Sequence, residues 1–259
     1  MPPSRARCVL STLGQLLFPA ECLVCHALLP YERSTAVVCP VCRHRWRPLV
    51  PPWCERCGQP EPLFGRCRVC ADWPAALGHA RSAVWLDAAA RRAVHALKYG
   101  GLPRIADDLT AATALVRLPL RHGRPTALVP VPLAPRRLAG RGYNQSAHLA
   151  ARLAQRWPYP VVELLVRTRE TASQTALTPT ARLANVAGAF AMRHGECGMR
   201  NELSAVDSAF RIPNSTFILV DDVFTTGATL AAAARALEAA GARSVMAVTF
   251  GRAIIPDFT

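Results

Sequence analysis

The chain has 259 residues, of which 51% are hydrophobic, and this length suits one α/β domain with a smaller module beside it. Its formal net charge is +14, and Lys98 is the only lysine among 31 basic residues. Because arginine grips phosphate through a planar fork, this balance favours phosphorylated ligands or nucleic acid, although a basic surface can also serve solubility alone. No apolar run approaches the roughly 18–20 residues of a membrane span, which excludes a spanning helix.

The first 20 residues combine a basic start with a short apolar stretch, as a signal peptide would. Four small or polar residues interrupt that stretch, namely Ser11, Thr12, Gly14 and Gln15. No convincing small-x-small cleavage site follows. We therefore predict a short amphipathic helix over residues 8–18 that packs on the rest of the chain, and a cytoplasmic location.

Eight of the ten cysteines form four Cys-x-x-Cys pairs. Two residues between thiolates let both sulfurs reach one ion, and two such knuckles complete a tetrahedral four-cysteine site. The pattern predicts two closed, structural zinc sites, paired in chain order, although an interleaved pairing stays open. The first site would use Cys22, Cys25, Cys39 and Cys42, and the second Cys54, Cys57, Cys67 and Cys70.

Two other interpretations of the cysteines are weaker. A disulfide framework needs an export route, and iron–sulfur spacing usually concentrates three cysteines in one run.

Other residues of the cysteine module have predicted structural roles. Gly58 follows Cys57 as a knuckle turn requires, whereas His26 and His44 are expected to be exposed rather than ligands. Three tryptophans are expected to fill the small core between the knuckles: Trp46, Trp53 and Trp73. We assign residues 1–75 to this module and residues 76–259 to the α/β domain.

The α/β domain begins with a predicted strand over residues 80–86. Asp87 is a candidate N-cap for a helix that runs to about Lys98, and Gly100 and Gly101 end it. A second helix over residues 102–118 and a buried strand over 126–131 follow. Lys98 lies at a helix end, where it can complement the helix dipole or reach a ligand.

A segment rich in hydrogen-bond donors comes next, over residues 132–145, before a helix predicted over 146–155. It contains Arg136, Arg137 and Arg141 together with Asn144 and Gln145, which suits the binding of oxyanions. A solvated basic loop is the alternative. Further strands are predicted over 161–167 and 244–250, and residues 194–215 form a polar excursion of unknown purpose.

The most informative stretch is residues 217–230, FILVDDVFTTGATL. An apolar run typical of a buried parallel strand ends in Asp221 and Asp222, and a loop of hydroxyl residues leads to a helix ending near residue 240. A helix N-terminus with nearby hydroxyls binds anions, and Gly227 permits close backbone approach. The two carboxylates would repel a phosphate but can accept hydrogen bonds from sugar hydroxyls, so the pattern predicts a sugar phosphate as the ligand. The alternative is an ordinary strand-to-helix turn in which Asp and Thr are cap residues.

This stretch closely resembles the PRPP-binding motif of type I phosphoribosyltransferases. The resemblance implies that Asp221 and Asp222 are the catalytic residues and that they bind the ribose hydroxyls. It also implies that the surrounding backbone and side chains bind the ligand and its 5′-phosphate, through Val220, Thr225, Thr226, Gly227, Ala228 and Thr229.

Three further motifs, VPVPL, then RR, then RGYNQ, are similar to the signature of the ComF family, which joins an N-terminal zinc module to a type I phosphoribosyltransferase domain. The resemblance implies an α/β fold, with a doubly wound, mostly parallel sheet and an N-terminal zinc ribbon. It places a pyrophosphate loop at residues 130–133, with Arg136, Arg137 and Arg141 nearby. A flexible closing loop would start at Arg167 and include Arg169, Thr171, Gln174, Thr175, Leu177, Arg182 and Asn185, unless these form an exposed polar hairpin.

The function implied by the resemblance is transfer of the phosphoribosyl group from PRPP, with Mg²⁺ bridging the diphosphate and the ribose hydroxyls. The alternative is a non-catalytic PRPP or nucleotide sensor in DNA uptake and natural transformation. Such a protein would use its zinc module and arginines to handle single-stranded DNA or to contact a helicase-like partner. The acceptor substrate and the oligomeric state stay open.

Overall fold

A computed structural model describes residues 20–29, 36–60, 67–120, 123–170, 186–193 and 212–254. Several predicted features lie outside these ranges. They are the helix over residues 8–18, the excursion as far as residue 211, and the closing-loop residues Thr171, Gln174, Thr175, Leu177, Arg182 and Asn185.

The described residues form six strands: β1 (Leu77–Trp85), β2 (Thr126–Pro130), β3 (Leu165–Arg167), β4 (Phe190–Met192), β5 (Thr216–Phe224) and β6 (Ser244–Arg252). They also form six α-helices: α1 (Pro40–His44), α2 (Ala88–Tyr99), α3 (Ile105–Thr113), α4 (Pro135–Arg141), α5 (Gln145–Ala154) and α6 (Ala228–Ala239). A 3₁₀ turn, Ile212–Asn214, precedes β5.

Four strands make a parallel sheet in the order β1-β6-β5-β2, and β3 and β4 make a separate antiparallel pair. Helices flank both faces of the parallel sheet. Ile218 and Val220 of β5 pack with α2, α3 and α5, whereas Phe217 and Leu219 pack with α6. A strand covered on both faces needs apolar residues in both alternating sets, which explains the unbroken apolar run in β5. The predicted doubly wound, mostly parallel architecture is thus confirmed.

Most element boundaries follow local signals. Asp87 caps α2 by accepting a hydrogen bond from the Ala90 amide at 2.9 Å, and α2 ends at Gly100, as predicted. Helix α3 is shorter than the predicted 102–118. Leu102 and Leu118 each precede a proline, and the proline ring disfavours helical backbone in the residue before it.

Two further regions differ from prediction. The segment over 161–167 was expected to be one strand. Val161 makes only an isolated parallel bridge with Leu128, and β3 pairs with β4 outside the parallel sheet. Part of the arginine-rich segment forms the unpredicted helix α4. Its signals are local, because Pro135 begins the helix and Gly142 ends it with φ +79°.

The two halves of the cysteine module pack on opposite faces of the sheet. Trp46 joins the core on the α2 face, where its ring lies 4.9 Å from that of Phe250. Trp73 joins the core on the α6 face, with its ring 6.0 Å from that of Phe224. Trp46 shares its cluster with Cys22, Cys39 and Cys42, and Trp73 shares its cluster with Cys57 and Cys70. The expectation that these tryptophans pack between the knuckles therefore holds in part, and each core also continues onto the α/β domain. The boundary near residue 75 stays a prediction.

None of the helices in the described ranges is both long enough and apolar enough to cross a bilayer.

Candidate ligand site and metal centres

The turn between β5 and α6 forms the centre of the candidate ligand site. Gly227 is the N-cap of α6 and has φ +76°, a left-handed conformation that glycine adopts without strain. A Cβ at this position would lie 2.8 Å from Phe224 Cζ and 2.9 Å from Trp73 Cζ2. Glycine is therefore required by the backbone and by packing within the protein, in addition to the predicted approach of a ligand.

The remaining turn residues divide by exposure. Thr225 and Thr229 are half-buried, and Thr226 and Ala228 are buried. The Thr226 hydroxyl accepts a weak hydrogen bond from the Ala228 amide at 3.4 Å. The hydroxyls of Thr225 and Thr229 are therefore the loop side chains with the most access to a ligand, next to the N-terminus of a 12-residue helix.

The two acids lie near the end of β5, just before this loop, and both are buried. Asp221 Oδ1 accepts hydrogen bonds from the Ser146 hydroxyl and from the Asp222 amide, each at 2.9 Å. Asp222 Oδ2 forms an ion pair with the Lys98 ammonium. Helices α5 and α2 thus hold one acid each.

Burial and neighbouring charges separate the titration of the two acids. Burial, with the charge of Asp222, raises the pKa of Asp221 to about 7. Burial acts in the same direction on Asp222, but the Lys98 ammonium outweighs it and holds the pKa of Asp222 below its ordinary value. Burial would lower the pKa of Lys98, and Asp222 reverses this and raises it. Asp222 is therefore the ionised member of the pair near neutrality, and Asp221 titrates there.

The RGYNQ segment connects the surrounding elements. Asn144 caps α5 through its side-chain oxygen, and its amide nitrogen donates to the Val131 carbonyl at 3.1 Å, in the predicted pyrophosphate loop. The Tyr143 hydroxyl donates to the Leu97 carbonyl in the last turn of α2. These bonds join the β2–α4 loop to the end of α2 and place Ser146 beside Asp221.

The four predicted arginines occupy different surroundings. Arg136 is exposed, and its backbone amide donates to Glu170 Oε1 at 2.8 Å. The Arg141 guanidinium donates to the Gln145 side chain and lies 5.1 Å from the Tyr99 ring centroid. Neither contact points to the acidic pair.

Arg167 lies closer to the acids. It is buried, with its guanidinium 5.2 Å from the Phe190 ring centroid. Burial and the charge of Arg137 lower the pKa of Arg167, while Asp221 and Glu170 act in the opposite direction. Arg137 and Asp221 are therefore each within electrostatic reach of Arg167.

Some residues of this site carry little or no signal in the sequence. Ser146 was predicted only as the start of a helix, and its position after Asn144 was the one available signal. Thr249 pairs with Asp221 in strand register, and its hydroxyl lies 2.7 Å from that of Ser82. No sequence pattern marked the hydroxyls of Thr249 and Ser82.

The cysteines form two groups of four, paired in chain order as predicted. Within each group all sulfurs lie within 4.8 Å of one another, and examples are Cys25–Cys39 at 3.8 Å and Cys57–Cys67 at 3.5 Å. Tetrahedral zinc with Zn–S bonds of about 2.3 Å needs sulfurs about 3.8 Å apart, so both groups fit the ion. The interleaved pairing is thereby excluded.

The knuckle geometry supports metal binding. His26 and Gly58 follow the second cysteine of corresponding knuckles and have φ values of +60° and +67°. Both His26 and His44 are exposed, as expected. Burial would raise the pKa of Cys22, but backbone amides including that of Cys39 at 3.2 Å outweigh it and lower the pKa to about 6. The thiolate is thus favoured at Cys22. Burial instead raises the pKa of Cys42, Cys57 and Cys70, so that these thiolates depend on the charge of a bound metal.

The first metal centre is attached to α3. Asp108, a buried carboxylate of α3, accepts hydrogen bonds from the amides of Val37 and Val38 at 2.9 and 3.2 Å. It also lies 3.3 Å from Arg43 in α1. These contacts bind the segment that enters the Cys39–Cys42 knuckle to the α/β domain.

The second metal centre is attached to the candidate ligand site. The buried Arg252 donates to the Cys57 carbonyl and to Gln59 Oε1, each at 2.7 Å, and its guanidinium lies 4.0 Å from the Phe224 ring centroid. Because Phe224 and Trp73 both pack beneath Gly227, the second centre supports the turn between β5 and α6 directly.

Comparison with known proteins covers both halves of the chain. The double zinc ribbon domain family matches residues 13–72, and the phosphoribosyl transferase domain family matches residues 142–253. The chain is 30% identical over 235 residues to the DNA utilization protein YhgH of Escherichia coli strain K12, covering 86% of this chain and 87% of the relative. It is 26% identical over 222 residues to the competence protein ComFC of Bacillus subtilis, covering 83% and 84% respectively.

A shorter match supports the same relationship, since the chain is 32% identical over 130 residues to competence protein F of Haemophilus influenzae, with half of each chain covered. The double zinc ribbon, the parallel sheet with its β5–α6 turn and these relatives agree. The chain belongs to the ComF family of proteins, in which a double zinc ribbon precedes a phosphoribosyltransferase domain.

Proposed function

We propose that this protein binds PRPP at the turn between β5 and α6 and transfers its phosphoribosyl group as part of DNA uptake or use. The observation that carries the proposal is the acidic pair Asp221 and Asp222, buried beside a hydroxyl-rich turn at the N-terminus of α6. The names of the relatives, which refer to competence and DNA utilization, support the biological setting.

The ligand's two ends match two parts of the site. The 5′-phosphate would accept hydrogen bonds from the first amides of α6 and from the hydroxyls of Thr225 and Thr229. The ribose hydroxyls would donate to Asp221 and Asp222, which the protein holds from α5 and α2. Acidic side chains repel phosphate, so this orientation is the one that electrostatics favours.

The diphosphate would lie towards the loop after β2 and the cations beyond it. Arg167 is within electrostatic reach of Asp221, and Arg137 is within electrostatic reach of Arg167. Because Lys98 already pairs with Asp222, Mg²⁺ would enter this site together with the ligand rather than on Asp222. Its chemistry there is to neutralise charge as the diphosphate leaves. The transition state would be oxocarbenium-like, and positioning would matter more than a nucleophilic side chain.

Calorimetric titration of the zinc-loaded protein with PRPP and Mg²⁺ tests the proposal. We expect micromolar binding that disappears when Asp221→Asn and Asp222→Asn are combined. Asp107→Asn is the matched control, because it removes an acid from an ion pair with Arg152 outside the site. Absence of binding at millimolar PRPP in the unaltered protein contradicts the proposal.

A second candidate function is handling of single-stranded DNA without catalysis. It is favoured by the net charge of +14 and by the relatives' names. In this case Arg136→Ala with Arg141→Ala would weaken binding to a single-stranded oligonucleotide, and affinity would fall steeply with salt. The paired Asp221 and Asp222 variants would keep that affinity. A helicase-like partner belongs to this candidate as a prediction.

A cytoplasmic location is part of the proposal. The described cysteines are free thiols, and their sulfurs cluster at distances that suit a metal. Thiolate sites of this kind persist in reducing compartments. Fractionation of cells that express the tagged protein tests this location.

A further inference from the structure

We propose that Lys98 is a positioning residue of the ligand site, holding Asp222 in place and ionised so that it can accept the ribose hydroxyls. This inference rests on the proposed sugar-phosphate function. Lys98 lies outside residues 142–253, the segment that matches the phosphoribosyl transferase domain. Its role therefore follows from the three-dimensional contacts of this chain.

The contact is between elements far apart in the sequence. Lys98 projects from the last turn of α2, and its ammonium pairs with Asp222 Oδ2 at the end of β5. The Lys98 side chain is 25% exposed and that of Asp222 is 5% exposed. The Asp222 side chain is thus almost enclosed, whereas the lysine that pairs with it is partly exposed.

The end of α2 is held firmly enough to act as a support. Leu97 is fully buried, and its carbonyl accepts a hydrogen bond from the Tyr143 hydroxyl. Tyr143 precedes Asn144, which caps α5 and bonds to the loop after β2. The ammonium is therefore placed by the same network that places Ser146 beside Asp221.

The choice of lysine is informative in this chain. All the other 30 basic side chains are arginine, and the single lysine stands at the acidic pair. A compact ammonium on a flexible stem approaches one carboxylate oxygen as a point charge, whereas a guanidinium needs room for a planar fork. Since the Asp222 side chain is only 5% exposed, a guanidinium should fit beside it less well than the ammonium does.

Other groups face the acidic pair from the neighbouring elements. Ser146 of α5 donates to Asp221, Arg167 of β3 acts electrostatically on Asp221, and Thr249 of β6 pairs with Asp221 in register. Lys98 is the cation assigned to Asp222. Direct contact of Lys98 with the diphosphate is the competing role, and it makes different predictions.

Three ligands separate the two roles: PRPP, ribose 5-phosphate and inorganic diphosphate, each titrated with Mg²⁺. Without the Lys98 ammonium, Asp222 should lose its hydrogen bond from the ribose hydroxyls. Loss of a hydrogen bond to a charged group weakens ligand binding about 10- to 100-fold. If Lys98 acts through Asp222 and the ribose, Lys98→Met weakens PRPP and ribose 5-phosphate by the same factor and leaves diphosphate unchanged. Lys98→Arg should fail to restore the affinity.

Arg152→Met is the matched control, since it removes a cation from the Arg152–Asp107 ion pair outside the site, and it should change none of the three affinities. Weakening confined to PRPP and diphosphate would overturn the proposal in favour of direct contact. Unchanged affinities for all three ligands would overturn it as well.

A ligand-free measurement separates failure of this inference from failure of the proposed function. Protein labelled with ¹⁵N-lysine contains a single side-chain ammonium, that of Lys98. Its ¹⁵N signal should move in Asp222→Asn and stay in place in Asp107→Asn. An unmoved signal in Asp222→Asn refutes the pairing, whereas a moved signal without binding of any ligand refutes the sugar-phosphate site alone.

Discussion

Gly227 links the candidate ligand site to the second metal centre, and Gly227→Ala tests whether the turn depends on that packing. At φ +76°, an alanine costs about 1–2 kcal/mol through its own backbone. The new Cβ would also lie 2.8 Å from Phe224 Cζ and 2.9 Å from Trp73 Cζ2, and both rings are buried. Overpacking of this kind costs about 1–3 kcal/mol. We therefore expect the free energy of unfolding to fall by about 2–5 kcal/mol.

Gly123→Ala is a matched control, because Gly123 has φ +78° but a Cβ there would meet no atom of the described residues within 4 Å. It should lose only the backbone contribution of about 1–2 kcal/mol. Urea unfolding in zinc-containing buffer, followed by tryptophan fluorescence, measures both variants. PRPP affinity should fall in Gly227→Ala and stay unchanged in Gly123→Ala. Equal losses of stability in the two variants would refute the argument that the turn is packed against Trp73 and Phe224.

Three further predictions concern the metal centres and the acidic pair. Arg252→Met leaves the Cys57 carbonyl without its guanidinium donor, so stability should fall by about 1–3 kcal/mol and zinc should be lost to a chelator sooner from the second centre than from the first. Cys42→Ser and Cys57→Ser should each remove one of two bound zinc ions, measured by elemental analysis, and loss of both ions from either variant would contradict separate centres. Asp221 keeps a proton in the folded protein up to about pH 7 that the unfolded chain releases near its ordinary pKa of 3.8, so this group lowers stability as pH rises between those values. Asp221→Asn should remove that loss in urea unfolding compared at about pH 5 and about pH 8, and an unchanged pH dependence would contradict the assignment.

Local spacing made several features predictable. In each Cys-x-x-Cys pair the two sulfurs are close enough to bind one metal ion, so four pairs predicted two four-cysteine centres. The structure groups the sulfurs in chain order, as predicted. Strand β5 is covered by helices on both faces, so its residues form an unbroken apolar run. This run predicted a buried strand without knowledge of the strands that pair with it. Asp87 and Gly100 marked the ends of α2 by capping chemistry that acts within a few residues.

Weaker local signals were misjudged. Helix α4 began at a proline and ended at a glycine, yet its arginines suggested a loop. The predicted helix over 102–118 ignored two prolines that disfavour helical backbone in the residues before them. Trp46 and Trp73 do cluster with cysteines of the module as expected, but each of these cores continues onto one face of the sheet, which the sequence did not indicate.

The sequence by itself determined the fold class, the two cysteine centres and the position of the acidic pair, because each depends on residues close together in the chain. Only the tertiary structure decided which side chains meet those acids. The strand order β1-β6-β5-β2 brings the end of α2 to the end of β5, so that Lys98 reaches Asp222. It also sets Trp73 beneath Gly227. Contacts of this kind join residues more than a hundred positions apart, and no local periodicity or spacing encodes them.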